Sequence, residues 1–538
     1  MANTLKFGNG EWYGKKDTIL AYNDLNSNYK PLPFNFSRAS KATVINKDGL
    51  IEEVGSGQPR VDYLNNTKGA MLLEPSRTNL ITYSEDFPRT YWTKSGATIQ
   101  GDPSTLGSEL VTNGSFTGGS TGWALGSGWA YSSNAINATS TSSVCYQDIA
   151  ATQSNITYTV TYQISNYSGG NIQWRFGGTG TVDGATRNAN GTYTESFTNS
   201  SSGDKRLFLS PSGFTGTIDN VSVKEVQGFT SPDGTNNAYK LVEGTNNGSH
   251  TVRRLTGISV TSSQDYTFSF FAKKDERSIV GISNTIGGAD KNAFIDVENG
   301  IILSSEFNDS SIDNYGNGWY KISLTHTATN TADYDVRIYT SIEDGNFSYQ
   351  GNGTSGVYIY GAQIEAGSYS TSAIFTSGSA VTRLADSCNN GGNDQVINST
   401  EGVLYFEGSA LADGSVDKRI YIDDGTMNNY VAIGYSRFAG NIISEIISGG
   451  VLQTVNWGAT GVNQTNNNKF ALSWGSGTMK FYVNGTQTNT ESVTSPTGLN
   501  VLEFNTSINT LFMEANVKDV RVYNTTLTDA ELQALTQV

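Results

Sequence analysis

The chain has 538 residues, a net charge of −15, 36% hydrophobic and 11% aromatic residues. An acidic chain without clusters of Lys and Arg cannot neutralise a phosphate backbone, so nucleic-acid binding is not expected. The aromatic content excludes a disordered chain, and two distant cysteines, Cys145 and Cys388, exclude a disulfide framework or a cysteine-based zinc site.

Length predicts about three to four domains. The 60 glycines punctuate stretches rich in Thr, Tyr and Phe, the pattern of short antiparallel strands joined by turns. No apolar run is long enough to span a membrane, and MANTLKFGNGEWYGKK at the start lacks the apolar core of a signal peptide. The expectation is a chain made in a cytoplasm, with no membrane insertion.

In chain order, residues 1–77 mix short apolar runs with turns and cannot form a core alone. They are expected as an extended or partly stranded anchoring and oligomerisation arm, packed on a neighbouring chain. A strand-like stretch over 78–107 breaks off and resumes over 228–385, around a self-contained unit at 108–227. This reads as one β-sandwich inserted in a loop of another, since loop tips tolerate insertion; a plain tandem array is the alternative. Residues 386–394 read as a Gly- and Asn-rich linker, and 395–538 as a last sandwich. The segments at 218–226, 357–367 and 517–524 alternate apolar and polar residues like closing strands. One helix is expected near the C-terminus, where Thr528 and Glu531 form a capping-box pattern and Leu532 and Leu535 share a face. The predicted fold is all-β: an N-terminal arm, three antiparallel jelly-roll sandwiches and a short C-terminal helix.

Several stretches carry resemblances. Residues 36–92, FSRASKATVINKDGLIEEVGSGQPRVDYLNNTKGAMLLEPSRTNLITYSEDFPRTYW, resemble a segment of tailed-bacteriophage fibre, spike and appendage proteins. TNLITYSEDF (78–87), SPDGTNNAYKL (231–241), GNGWYKISLT (316–325) and 360–383 are similar to sandwich modules of phage fibres. The inserted unit, with VTNGSF, Gly122-Trp123, Gly128-Trp129 and IDNVSV, resembles a carbohydrate-binding jelly roll. Ser115 stands where that family often has an acidic residue near a structural calcium, so calcium is not expected. FYVNGTQ (481–487) and DVRVYNTTLTDAELQAL (519–535) resemble a concanavalin-type, laminin-G-like sandwich.

These resemblances imply a head fibre or spike, or a tail fibre, on a virion surface. The arm would bind capsid or tail proteins, the chain would form a homotrimer, and the sandwiches would adhere to cell-surface or environmental glycans. For sugar binding, Trp123, Trp129, Tyr131, Trp174 and Arg175 offer faces for pyranose C–H groups and a donor for hydroxyls; the competing reading places the tryptophans in the core. Trp319 and Trp474 are expected in cores.

Catalysis is not expected. The two histidines, His250 and His326, lack a nucleophile elbow to serve, and no phosphate-binding glycine loop occurs. Carboxylate pairs such as Asp423 and Asp424, or Glu52 and Glu53, read as turn acids, as do Asp296 and Glu298 for a metal. No cofactor or metal is expected. The alternatives are a virion-associated polysaccharide depolymerase and a bacterial surface adhesin.

Overall fold

The computed structural model describes residues 4–23, 30–101, 106–149, 157–177, 182–198, 206–414, 416–456, 461–504 and 513–538. Among them the chain is antiparallel β-structure with one α-helix, Asp529–Thr536. It forms two compact units, one of Met1–Asp86, Arg253–Tyr349 and Gly361–Val538, the other of Phe87–Val252 and Gln350–Tyr360.

In the first unit, alternation sorts side chains between two faces of a large sheet. Across its centre, Leu5 pairs with Val522, Val522 with Leu404, and Leu404 with Leu472; the next inward level is Phe7, Val520, Phe406 and Phe470. These side chains share one core with Ile420, Ile422, Val431 and Ile433 of the facing five-stranded sheet, and Trp474 lies in it. The outward residues Val403, Tyr405 and Tyr523 are covered by Leu527 and Leu532 around the helix. That helix has the expected capping box: Glu531 N–H donates to Thr528 Oγ1, and Thr528 N–H to Glu531 Oε2.

The N-terminal residues are placed otherwise than expected. Leu5–Gly8, Thr18–Asn23 and Lys30–Ser37 are consecutive strands of the large sheet, flanked by Ala515–Tyr523 on one side and Ser387–Asn389 on the other. The 1–77 segment is thus no extended arm: too short for its own core, it completes the C-terminal one. The 386–394 linker is corrected similarly, since Ser387–Asn389 pairs with Lys30–Ser37 and Cys388 is core.

A buried charge cluster fastens these pieces. Arg38, Arg60, Arg383, Glu74 and Asp386 are all buried. Asp386 accepts from Arg38 at 2.9 Å, from Arg60, and from the Glu74 amide at 2.9 Å. Glu74 accepts from Arg60 and from Ser372, and lies 3.0 Å from Arg383. Burial alone would raise the Glu74 carboxyl, but Arg383, Arg60 and the Ser372 donors hold it well below the usual carboxylate range. Arg38, Arg60 and Glu74 belong to the 36–92 wording, and Ser372 and Arg383 to the 360–383 wording. Those distinctive residues therefore have a structural role.

In the second unit, all strands from Leu106–Glu109 to Arg206–Val226 form one eight-stranded sheet. Their core contains Val160, Tyr162, Ile164, Ile172, Trp174, Phe176 and Leu209.

Candidate functional site

The site rests on two long strands, Thr157–Phe176 and Arg206–Val226, paired nearly throughout their length. Buried and partly exposed residues alternate along Thr157–Phe176 on both sides of a break in register near Gly169. Both halves bury their inward side chains in the same core, so the hairpin folds over into a sandwich. Gly170 enables the bend: its φ is 70°, and a Cβ there would sit 2.2 Å from the Gly213 carbonyl oxygen.

The same alternation assembles an outward face. Trp174 and Phe176, Leu207 and Leu209, and Cys145 point inward. The intervening residues Gln173 and Arg175, Arg206 and Phe208, and Tyr146 and Asp148 therefore point out. Register aligns Tyr146 with Phe208, Phe208 with Arg175, and Arg175 with Asp183, a row across four strands. The Tyr146 and Phe208 rings are half-buried, with centroids 5.8 Å apart. The Arg206 guanidinium lies 4.4 Å from the Tyr146 ring centroid and 5.9 Å from that of Phe208. It donates twice to Asp148, at 2.6 and 2.9 Å. Arg175 donates twice to Asp183, at 2.7 and 3.2 Å. These hydrogen bonds raise both guanidinium pKa values.

Such a row has the parts for a sugar. Aromatic rings offer apolar surface to ring C–H groups, while fixed arginine–carboxylate pairs offer donors and acceptors to hydroxyls. The outer surface over Thr157–Gln163 differs. It carries hydroxyls bonded to each other, Thr159 to Ser196 at 3.1 Å and Thr161 to Thr194 at 3.0 Å.

Of the five residues expected from sequence, only Arg175 lies in this row. Trp123 and Trp129 are each 7% exposed and Trp174 is 2% exposed, all within the core. Trp129 also donates its indole N–H to the Ser143 carbonyl at 2.7 Å. The three indoles form no platform toward solvent; their large apolar area closes the sandwich instead. Tyr131 is exposed and bonds Asn134. It pairs with Ile136, which pairs with Ile218, well along the strand from Phe208. Tyr146, Phe208, Arg206, Asp148 and Asp183 were missed. For all but Asp183 the signal was the alternation in CYQD and RLFLS, where buried Cys145, Gln147, Leu207 and Leu209 mark their neighbours as outward.

The other candidates make local contacts. His250 is buried against Gly96, and His326 pairs with Tyr266 within a strand, its pKa lowered by burial. Asp423 and Asp424 accept turn amides from Gly425 and Thr426, and Asp296 accepts those of Glu298 and Asn299. Glu53 pairs with exposed Lys41. Trp319 is buried, as expected. Among the described residues, no group of three or more His, Cys, Asp or Glu could hold a metal ion.

No protein-family model and no curated protein matches the chain. Among solved structures, it is similar to the Ruminococcus gnavus IT-sialidase CBM40 bound to alpha2,3 sialyllactose. The identity is 16% and the TM-score 0.23, over 28% of this chain and 93% of that one. It is also similar to the CBM22-1-CBM22-2 tandem domain of Paenibacillus barcinonensis Xyn10C, at 12% identity and TM-score 0.19, over 48% and 98% of the two chains. Overlaps of this extent carry no argument about a ligand.

Proposed function

We propose that the protein is a non-catalytic appendage of a tailed-phage particle that holds glycans weakly through the inserted sandwich. The observation that carries the glycan reading is the row Tyr146–Phe208–Arg175–Asp183 with Arg206 and Asp148 beside it. The phage reading is supported by the resemblances of residues 36–92, 231–241, 316–325 and 360–383. A shallow face with two half-buried rings gives little affinity alone; homotrimers in many copies per particle would raise it by effective concentration. Attachment to capsid or tail proteins would use a surface other than the edges of Leu5–Gly8 and Thr18–Asn23, since both strands are paired on each side.

Two measurements test this. Mass spectrometry of purified particles should find the chain, and purified protein should be retained on host-surface polysaccharide without releasing reducing ends. Release of reducing ends would establish a depolymerase; absence from particles would remove the virion role.

A further inference from the structure

We propose that the first compact unit carries a second ligand site, a cavity of about 430 Å³ that holds a neutral, polyhydroxylated molecule of monosaccharide size. It lies wholly within that unit and is independent of the face on the inserted sandwich. Its volume falls within the roughly 300–1,000 Å³ of small-molecule sites.

Two charges that should meet do not. Asp313 and Lys321 are direct cross-strand partners on Asp309–Asn314 and Trp319–Thr327, a spacing of about 4.5–5.5 Å between Cβ atoms at which opposite charges ordinarily pair. Among the described residues no ion pair joins them, and the Asp313 carboxylate has no hydrogen-bond partner. Lys321, only 4% exposed, donates instead to the Thr371 carbonyl. An ammonium has three donors, and burying one with a single carbonyl in contact leaves it under-satisfied. Both residues line the cavity, as does Tyr315, whose hydroxyl also has no partner among the described residues. Burial raises the Asp313 carboxyl against the pull of Lys321, and lowers the Lys321 ammonium against the pull of Glu365 first and Asp313 second. The gap between them therefore has an acceptor on one side and a donor on the other.

A sugar hydroxyl fits that gap, because it can donate to the carboxylate and accept from the ammonium at once. Leu72 and Leu411 on the wall suit ring C–H groups. The rest of the lining favours a neutral guest. Glu74 is neutralised by Arg60 and Arg383, and Asp62 accepts the Ile45 and Leu64 amides. Lys321 and Lys518 balance Asp313 and Asp62, so neither sign is in excess.

The test is saturation-transfer NMR on the full chain with millimolar methyl glucopyranoside, methyl galactopyranoside and methyl N-acetylglucosaminide, and glucuronate as the acidic comparator. At least one neutral pyranoside should bind. Asp313→Asn and Lys321→Met should weaken it about tenfold or more. All of these chains are compared in a Tyr146→Ala/Phe208→Ala background, so that the row on the inserted sandwich contributes no signal. Thr465→Trp, an exposed residue of the wall, should block binding without disturbing the fold. No binding of any neutral pyranoside, binding of glucuronate alone, or binding that survives Thr465→Trp would overturn the proposal.

Discussion

Asp386→Ala removes the carboxylate that holds Arg38, Arg60 and the Glu74 amide. The cluster has three guanidiniums and two carboxylates, so the variant leaves Glu74 alone against three buried cations. Breaking a buried pair by removing one partner costs about 3–5 kcal/mol, because the remaining charge stays desolvated. At roughly 2 °C per kcal/mol for a unit of this size, the transition should fall by about 6–10 °C. Differential scanning calorimetry measures the shift, and hydrogen exchange at Ala70–Leu73, which leads into Glu74, assigns it to the first unit. Adding Arg38→Met should recover part of the loss, since one uncompensated cation goes with it. A loss below about 1 kcal/mol would show that the cluster does not fasten these segments together.

Three further outcomes are expected. Glu74 has a depressed folded-state pKa, so its contribution is present above the unfolded value of about 4.3 and is lost as pH falls toward the folded one. The stability gap between wild type and Glu74→Gln, followed by thermal melts, should therefore narrow from pH 7 to pH 3. Trp174→Ala should destabilise the second unit by about 3–5 kcal/mol, against about 1 kcal/mol or less for outward-facing Phe208→Ala, as denaturant titration would show. Burial pushes the Cys145 thiol up to about 12, so iodoacetamide at pH 8 should leave it unmodified in the folded chain and alkylate it on unfolding.

The all-β class and the capped C-terminal helix were legible because both rest on local signals: alternation of period two, and Thr528 three residues before Glu531. The placement of Leu5–Gly8 beside Ala515–Tyr523 was not. A four-residue strand has no local mark of a partner more than five hundred residues away, and its short apolar run read as an arm. The buried charges were hidden similarly. Arg38, Arg60 and Glu74 look like surface residues until Arg383 and Asp386 are brought beside them. For the site, large aromatic residues drew attention to Trp123, Trp129 and Trp174, yet these close the core. Arg175 proved to be in the outward row because it neighbours a core tryptophan on an alternating strand. The same inversion, applied to Leu207 and Leu209, would have found Phe208.

The most direct test of the central claim is a glycan array probed with the full chain beside its Tyr146→Ala/Phe208→Ala variant, both confirmed folded by circular dichroism. The wild type should bind one glycan class multivalently, and the variant should lose that binding. Equal binding by both chains, or silence across all glycans from the wild type, would contradict that claim.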